Sequence, residues 1–291
     1  MSLEFYKAFV MLLLTLPLYS GRKTKTTPWP ERIVGGKDIP PGHHVPYQVS
    51  LQYFVNTSAP NEKGAYKHYC GGSIISSYHI LTAAHCCSGF DPKLMSIWAG
   101  DRDLRSQHAL RFAVANYTIH PNYEELVTSD IAIIKLCRPM YLDNVRMGAI
   151  DVSSKQHTPG GVTVMLTGWG LRLPYHFQVP FPLLQEQVNA VTLPNILQVS
   201  TFLTVSDEVC KQVIDQLTKT ELCVTGDLFK GACPGDSGGP LVEMSAQGLR
   251  QVGIVSYGLF ICGLFSSLVP DVYTRVSEFS DWIYNTMHYE L

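Results

Sequence analysis

Ser237 lies in a run of small residues, Cys233-Pro234-Gly235-Asp236-Ser237-Gly238-Gly239-Pro240. Glycine lets a backbone approach a ligand closely and take up conformations that other residues resist. A serine hydroxyl presented there, beside backbone N–H groups, supplies two parts of acyl transfer: a nucleophile and a site for the developing oxyanion. The third part is a base steadied by a carboxylate. The rest of the chain therefore has to bring a histidine and an acid to Ser237.

Residues of both kinds are present. His85 sits in Leu81-Thr82-Ala83-Ala84-His85-Cys86, after a strand-like run and beside a cysteine that can tie it down. Asp130 opens the apolar run Ile131-Ala132-Ile133-Ile134. An aspartate beside a buried strand is costly unless it is hydrogen-bonded, and a histidine N–H would satisfy it. Taken singly, each of the three reads equally well as a turn residue. Taken together they compose a nucleophile, a base and an orienting acid. Gly235-Asp236-Ser237-Gly238-Gly239 also fits the Gly-x-Ser-x-Gly turn of α/β-hydrolases. Those enzymes place the histidine after the serine, whereas only His288 follows here, and no strand–helix alternation surrounds Ser237.

The elements that must position these residues are β-strands. The chain has 291 residues, 46% of them hydrophobic, enough for one large all-β domain or two small ones. Short β-type runs separated by Gly, Pro and Asn turns extend over 45–55, 73–76, 79–82, 95–98, 112–120 and 130–136. A second set covers 162–167, 196–205, 240–244, 251–257 and 272–276. That pattern indicates a sandwich or barrels. Two helices are expected. Ser206 caps one that runs through Cys210 to about Gln216. Val276, Phe279, Ile283 and Met287 share one face of another at the end of the chain.

Net charge is −2 with no basic block, which argues against a nucleic-acid partner. Residues 1–20 read as a secretory signal, with Lys7 ahead of the apolar run Ala8–Leu18, too short to span a bilayer. Residues 21–32 form a Lys/Thr/Pro segment ending at Arg32, followed by Ile33-Val34-Gly35-Gly36, a candidate processing site. The first 32 residues carry five basic and two acidic side chains, so the remainder has 17 basic against 22 acidic, a net of −5. No membrane span is expected in the mature chain, and an extracellular location follows from the signal.

Eight cysteines behind a signal read as disulfides. Neither Cys-x-x-Cys nor His-Glu-x-x-His occurs, so no metal and no cofactor are expected. Asn56-Thr57-Ser58 and Asn116-Tyr117-Thr118 are glycan acceptors if exposed.

Together the residues resemble the chymotrypsin-like serine proteases. Ile33-Val34-Gly35-Gly36, the His85 block, the Asp130 run, Thr167-Gly168-Trp169-Gly170, the Ser237 block and Ser256-Tyr257-Gly258 follow one another in that family's order, over about Arg32 to Leu291. The resemblance implies an all-β fold of two six-stranded antiparallel barrels, approximately 33–150 and 151–275, with the active site between them, and then a C-terminal helix. It implies His85, Asp130 and Ser237 as catalytic residues, an oxyanion hole from the N–H groups of Gly235 and Ser237, and substrate pairing along Ser256–Gly258. Cleavage after Arg32 would free the ammonium of Ile33 to pair with Asp236. The disulfides implied are Cys70–Cys86, Cys210–Cys223 and Cys233–Cys262, with Cys87 and Cys137 left over. The family's calcium loop has paired glutamates that Asp101–Arg111 lacks, so no calcium is expected there.

The specificity pocket departs from trypsins. They carry an aspartate six residues before the nucleophile, where this chain has Gly231. The carboxylate sits instead at Asp271, in Pro270-Asp271-Val272-Tyr273. This arrangement resembles the brachyurin-type collagenolytic proteases, which accept basic and large apolar residues before the cut. If Asp271 points to solvent instead, the pocket is chymotrypsin-like. Loops 52–69 and 171–193 are longer than in trypsins and flank the cleft in the family, which leaves room for a narrow-specificity activating protease. A catalytically silent binding protein on the same fold would lack a member of the triad. Expected partners are protein or peptide substrates, an activating trypsin-like protease and protein protease inhibitors, with the enzyme itself a monomer.

Overall fold

The computed structural model describes residues 32–56, 64–125, 128–171, 193–227, 230–258 and 269–289. The expected signal, most of the activation segment, Cys262 and most of the 171–193 loop lie outside them. All described residues belong to the unit Glu31–Leu291.

Alternation of buried and exposed side chains and frequent turns fold the chain into two barrels. In the first, β2 (Gln48–Val55), β3 (Ala65–Ile74), β4 (His79–Thr82), β7 (Ala132–Leu136), β6 (Leu110–Ile119) and β5 (Met95–Ala99) close in that order, all antiparallel. Its interior is filled by Leu51, Ile74, Ile80, Leu81, Ile97 and Phe112, each at most 2% exposed. In the second, β8 (Thr163–Gly168), β9 (Gln198–Val205), β10 (Glu221–Thr225), β13 (Asp271–Arg275), β12 (Gly248–Tyr257) and β11 (Pro240–Ser245) form the ring, closed by the β8–β9 pairing. Val164, Leu166, Phe202, Leu222, Leu241 and Tyr273 fill it. β1 (Arg32–Asp38) lies along the first half of β9, so the strand that opens the domain adds to the second barrel.

Most expected strands are present with boundaries shifted by a few residues. β10 has no counterpart among the expected runs, and β3 begins at Ala65, well before residue 73. Tyr66, Lys67 and His68 are polar or amphipathic, and pairing with β2, not an apolar alternation in the sequence, makes that stretch a strand. Helix α1 (Asp207–Cys210) is capped by the Ser206 hydroxyl, which accepts from the Val209 N–H, but it ends after one turn. Helix α2 (Ser280–Tyr289) continues a 3-10 turn, Val276–Phe279. Its Ile283 joins Phe279 in the first barrel's core, and Trp282 meets the His120 ring edge-on, so the end of the chain returns to the first barrel.

The two barrels meet through buried polar bonds. Thr167 Oγ1 donates to Gln48 Oε1 at 2.6 Å, and Ser73 Oγ to Gln251 Oε1 at 2.6 Å. Each pairs a buried donor with a buried acceptor, which avoids the cost of leaving either unmet. These bonds fix the seam on which the candidate residues lie.

Candidate active site

His85 stands in a 3-10 turn, Ala84–Cys86, at the end of β4, and the Cys70–Cys86 disulfide anchors that turn to β3. Asp130 precedes β7. Ser129 before it takes φ +56°, in the left-handed region unusual for a non-glycine residue, which bends the chain sharply ahead of Asp130. The two residues are joined twice. The backbone N–H of His85 donates to Asp130 Oδ1 at 2.9 Å, and His85 Nδ1 lies 2.7 Å from Oδ2. An ionised carboxylate only accepts, so Nδ1 carries the proton and Nε2 is left as the basic nitrogen.

Donors come to Asp130 from the second barrel as well. Ser256 Oγ donates to Oδ2 at 2.6 Å, and Thr274 Oγ1 to the Asp130 carbonyl at 2.7 Å. Burial pushes the Asp130 carboxyl up, but the bonds from His85 and Ser256 outweigh it and hold the group below the ordinary aspartate value. The site thus contains a fixed negative charge behind an imidazole, with the free face of the imidazole partly exposed.

Ser237 occupies a turn held from both sides. Its carbonyl accepts from the Gly71 N–H at 2.7 Å in the first barrel, while the Gly238 N–H donates to Val255 of β12 at 2.9 Å. Gly238 has φ +75°, and a Cβ there would come within 2.2 Å of Thr82 Oγ1 and 2.7 Å of the Gly71 carbonyl. Only glycine lets the serine turn press against the first barrel this closely. Among the described residues, neither the N–H of Gly235 nor that of Ser237 has a backbone acceptor. Asp236 points the other way. It is 1% exposed and accepts from the N–H groups of Gly170 and Cys233 at 2.8 and 3.0 Å, and burial raises its carboxyl to about 6.

A pocket of about 300 Å³ opens beside the serine. Ser237, Ala232, Tyr257, Gly258, Asp271 and Tyr273 are among the residues that line it. Asp271 therefore faces the pocket; its Oδ2 accepts from the Ala232 N–H at 3.3 Å, and burial raises its carboxyl to about 6. Gly231 is buried and is not among the lining residues, whereas its neighbour Ala232 is.

The family model described as Trypsin matches residues 33–283. The chain is 38% identical to "Chymotrypsin-2" of Vespa crabro over 253 residues, covering 86% of this chain and 98% of that protein. It is 33% identical to "Chymotrypsin-C" of Rattus norvegicus over 259 residues, covering 87% of each. The chain belongs to the trypsin family. It is a serine endopeptidase, and protein substrates follow from that membership.

Two further features of this protease escape a reading by motif. His68 lies near the middle of β3. Its Nε2 donates to the Gly235 carbonyl at 3.0 Å, its Nδ1 accepts from Ser50 Oγ at 2.8 Å, and its ring meets Trp169 edge-on. Burial lowers His68 to about 4, so the ring is neutral at ordinary pH, and its Nε2–H steadies the Gly235–Asp236 peptide just ahead of Ser237 by holding the Gly235 carbonyl. The second is the inter-barrel support of Asp130 by Thr274. Neither residue sits in a motif, and only a long-range contact connects each to the site.

The remaining expected residues have these positions. Cys210–Cys223 is formed, Cys233 is disulfide-bonded, and Cys87 and Cys137 are free, the first buried and the second exposed. Cys70, His85 and Cys86 bring possible ligand atoms together, but the two sulfurs are bonded to each other and offer no thiolate. Asn56 and Asn116 are both exposed. Among the described residues, no helix is long and apolar enough to cross a membrane.

Proposed function

We propose that this endopeptidase is secreted as a zymogen, is activated by cleavage after Arg32, and cuts proteins after both basic and large apolar residues. Ser237 Oγ adds to the scissile carbonyl carbon while its proton passes to His85 Nε2. The N–H groups of Gly235 and Ser237 stabilise the oxyanion, an interaction typically worth about 3 kcal/mol per donor in the transition state. The intermediate collapses, the C–N bond breaks, and the leaving amine takes the proton from His85. Water repeats the sequence to release the acid. Asp130 keeps His85 in the required tautomer and stabilises the imidazolium.

The observation that carries this reading is the doubly bonded His85–Asp130 pair beside a pocket that Ser237 and Asp271 share. An extended substrate adds as a strand along Ser256–Gly258, which main-chain hydrogen bonding favours. Asp271 at the pocket wall attracts a basic side chain, and the uncharged remainder of the lining accepts an apolar one. Activation is read from Asp236, buried with two N–H donors and, among the described residues, no cationic side chain bonded to it. The ammonium of Ile33 supplies that charge after cleavage. A signal over 1–20, a propeptide over 21–32, glycans on Asn56 and Asn116 and a Cys233–Cys262 disulfide complete the proposal.

Fluorophosphonate labelling tests it. Trypsin-treated protein labels at Ser237 and begins at Ile33, whereas Arg32→Gln remains uncut and labels poorly. Absence of label on Ser237 after cleavage overturns the mechanism. Full activity with residues 21–32 attached overturns the activation step.

A further inference from the structure

We propose that Glu221 is a positioning residue for the part of the substrate upstream of the cut, acting through the hydroxyl of Tyr257. Glu221 opens β10 and is only 5% exposed, an unusual place for an acid unless it is paired. Its carboxylate is well supplied with donors. Tyr257 Oη–H donates to Oε1 at 2.6 Å; the N–H and hydroxyl of Thr218 donate to Oε2 at 2.7 and 2.9 Å. Arg275 Nε fixes the Glu221 main-chain carbonyl at 3.0 Å. The acid is therefore held rigidly and holds Tyr257 in turn.

Tyr257 is placed to use that constraint. The register between β12 and β13 slips between Val255 and Tyr257, so Ser256 is the extra residue of a bulge. In a regular strand neighbouring side chains point to opposite faces. The bulge suspends that rule, and Ser256 and Tyr257 both line a small hollow with Asp130, Thr128, Thr220 and Glu221. Ser256 there bonds Asp130, and Tyr257 bonds Glu221. Tyr257 also lines the primary pocket, so it stands between the pocket and the hollow.

The hollow is rimmed by a hydrogen-bonded circuit across both barrels. From Glu221 it runs through the hydroxyls of Thr218 and Thr220 to Thr128, over steps of 2.7 and 3.0 Å, and on to Ser129 at 3.3 Å, beside Asp130. Ser256 closes the circuit on Asp130 from the other side. Burial, and then the Glu221 carboxylate, raise the Tyr257 hydroxyl, so it remains a donor across the working pH range. Any strand laid along Ser256–Gly258 meets a Tyr257 ring whose position Glu221 sets. This inference rests on the substrate-pairing reading of Ser256–Gly258.

The test compares matched substrates with one and with four residues before the cut, using the activated protein. In the wild type the longer substrate gains in kcat/KM. Glu221→Ala reduces that gain about tenfold, mainly through KM, and Glu221→Gln, which keeps an acceptor oxygen, restores most of it. Tyr257→Phe removes the donor instead of the acceptor and reduces the gain in the same way, which serves if Glu221→Ala does not fold. A gain unchanged in both variants overturns the proposal, as does an equal loss on both substrates. A wild type with no gain from the longer substrate overturns the strand-pairing reading, and this inference with it.

Discussion

Asp236 fills the space that a side chain on Gly168 would need: a Cβ there would stand 2.1 Å from Oδ1, and one on Gly170 2.1 Å from Oδ2. The Gly-Trp-Gly segment is thus the negative image of a buried carboxylate. Gly168→Ala or Gly170→Ala should displace Asp236 and the serine turn with it. Overpacking of this kind costs about 1–3 kcal/mol. Urea melts should show that loss, with peptide hydrolysis falling further than stability does. Wild-type turnover in Gly168→Ala would mean that Asp236 is free to move without consequence.

The same carboxyl gives the uncleaved chain a distinctive pH response. Burial raises Asp236 from 3.8 to about 6. A folded-state pKa above the unfolded one stabilises fully below the unfolded value, and that contribution is lost as pH rises through the folded value. The window is therefore about pH 4 to 6, and the loss is about 3 kcal/mol. Arg32→Gln should unfold at lower denaturant at pH 7 than at pH 4.5 through this group, and Asp236→Asn in that background should flatten the difference. An uncleaved chain whose pH dependence ignores Asp236→Asn would contradict the assignment.

Asp271 should make specificity depend on pH. Its carboxyl is raised to about 6 by burial, offset in part by the Ala232 N–H. The Tyr273 hydroxyl is raised by burial, then by Asp271 and Asp236, and so remains neutral. Below the pKa the pocket holds a neutral acid and favours Phe or Leu; above it a charged one favours Arg or Lys. The ratio of kcat/KM for matched Arg and Phe peptides should rise between pH 5 and 7. Groups that both reactions need cancel in that ratio. Asp271→Gly should cut Arg and Lys cleavage roughly tenfold to a thousandfold, about 1.4 to 4 kcal/mol, and flatten the profile. A flat wild-type ratio would remove Asp271 from substrate recognition.

Ser256→Ala removes one of the donors that hold Asp130 below its ordinary value. A hydrogen bond to a charged group is worth about 1.5–3 kcal/mol. The variant should lose roughly tenfold or more in kcat with little change in KM for a single-residue substrate. Steady-state kinetics decide it, and an unaltered kcat would show that His85 and Thr274 orient Asp130 without Ser256.

The sequence by itself determined the chemistry and the class of fold. Ser237, His85 and Asp130 were legible as candidates because each lies in a local pattern: a glycine-rich turn, a strand end beside a cysteine, and an acid at the head of an apolar run. The β-rich architecture was legible from runs such as Ile131–Leu136, whose apolar residues fill the first barrel. Tertiary structure decided what local pattern does not encode. β9 buries Gln198, Ser200 and Thr204 while Leu203 is 47% exposed, because Phe202 on their face packs into the second barrel and the strand's alternation carries its polar neighbours inward with it. β10 passed unread because its only acid, Glu221, looks like a surface residue until Tyr257 and Thr218 close around it. His68, Thr274 and Glu221 act on the site across 167, 144 and 36 residues of sequence, respectively. A hydrogen bond depends on distance in space, and only closure of the barrels brings those pairs within reach.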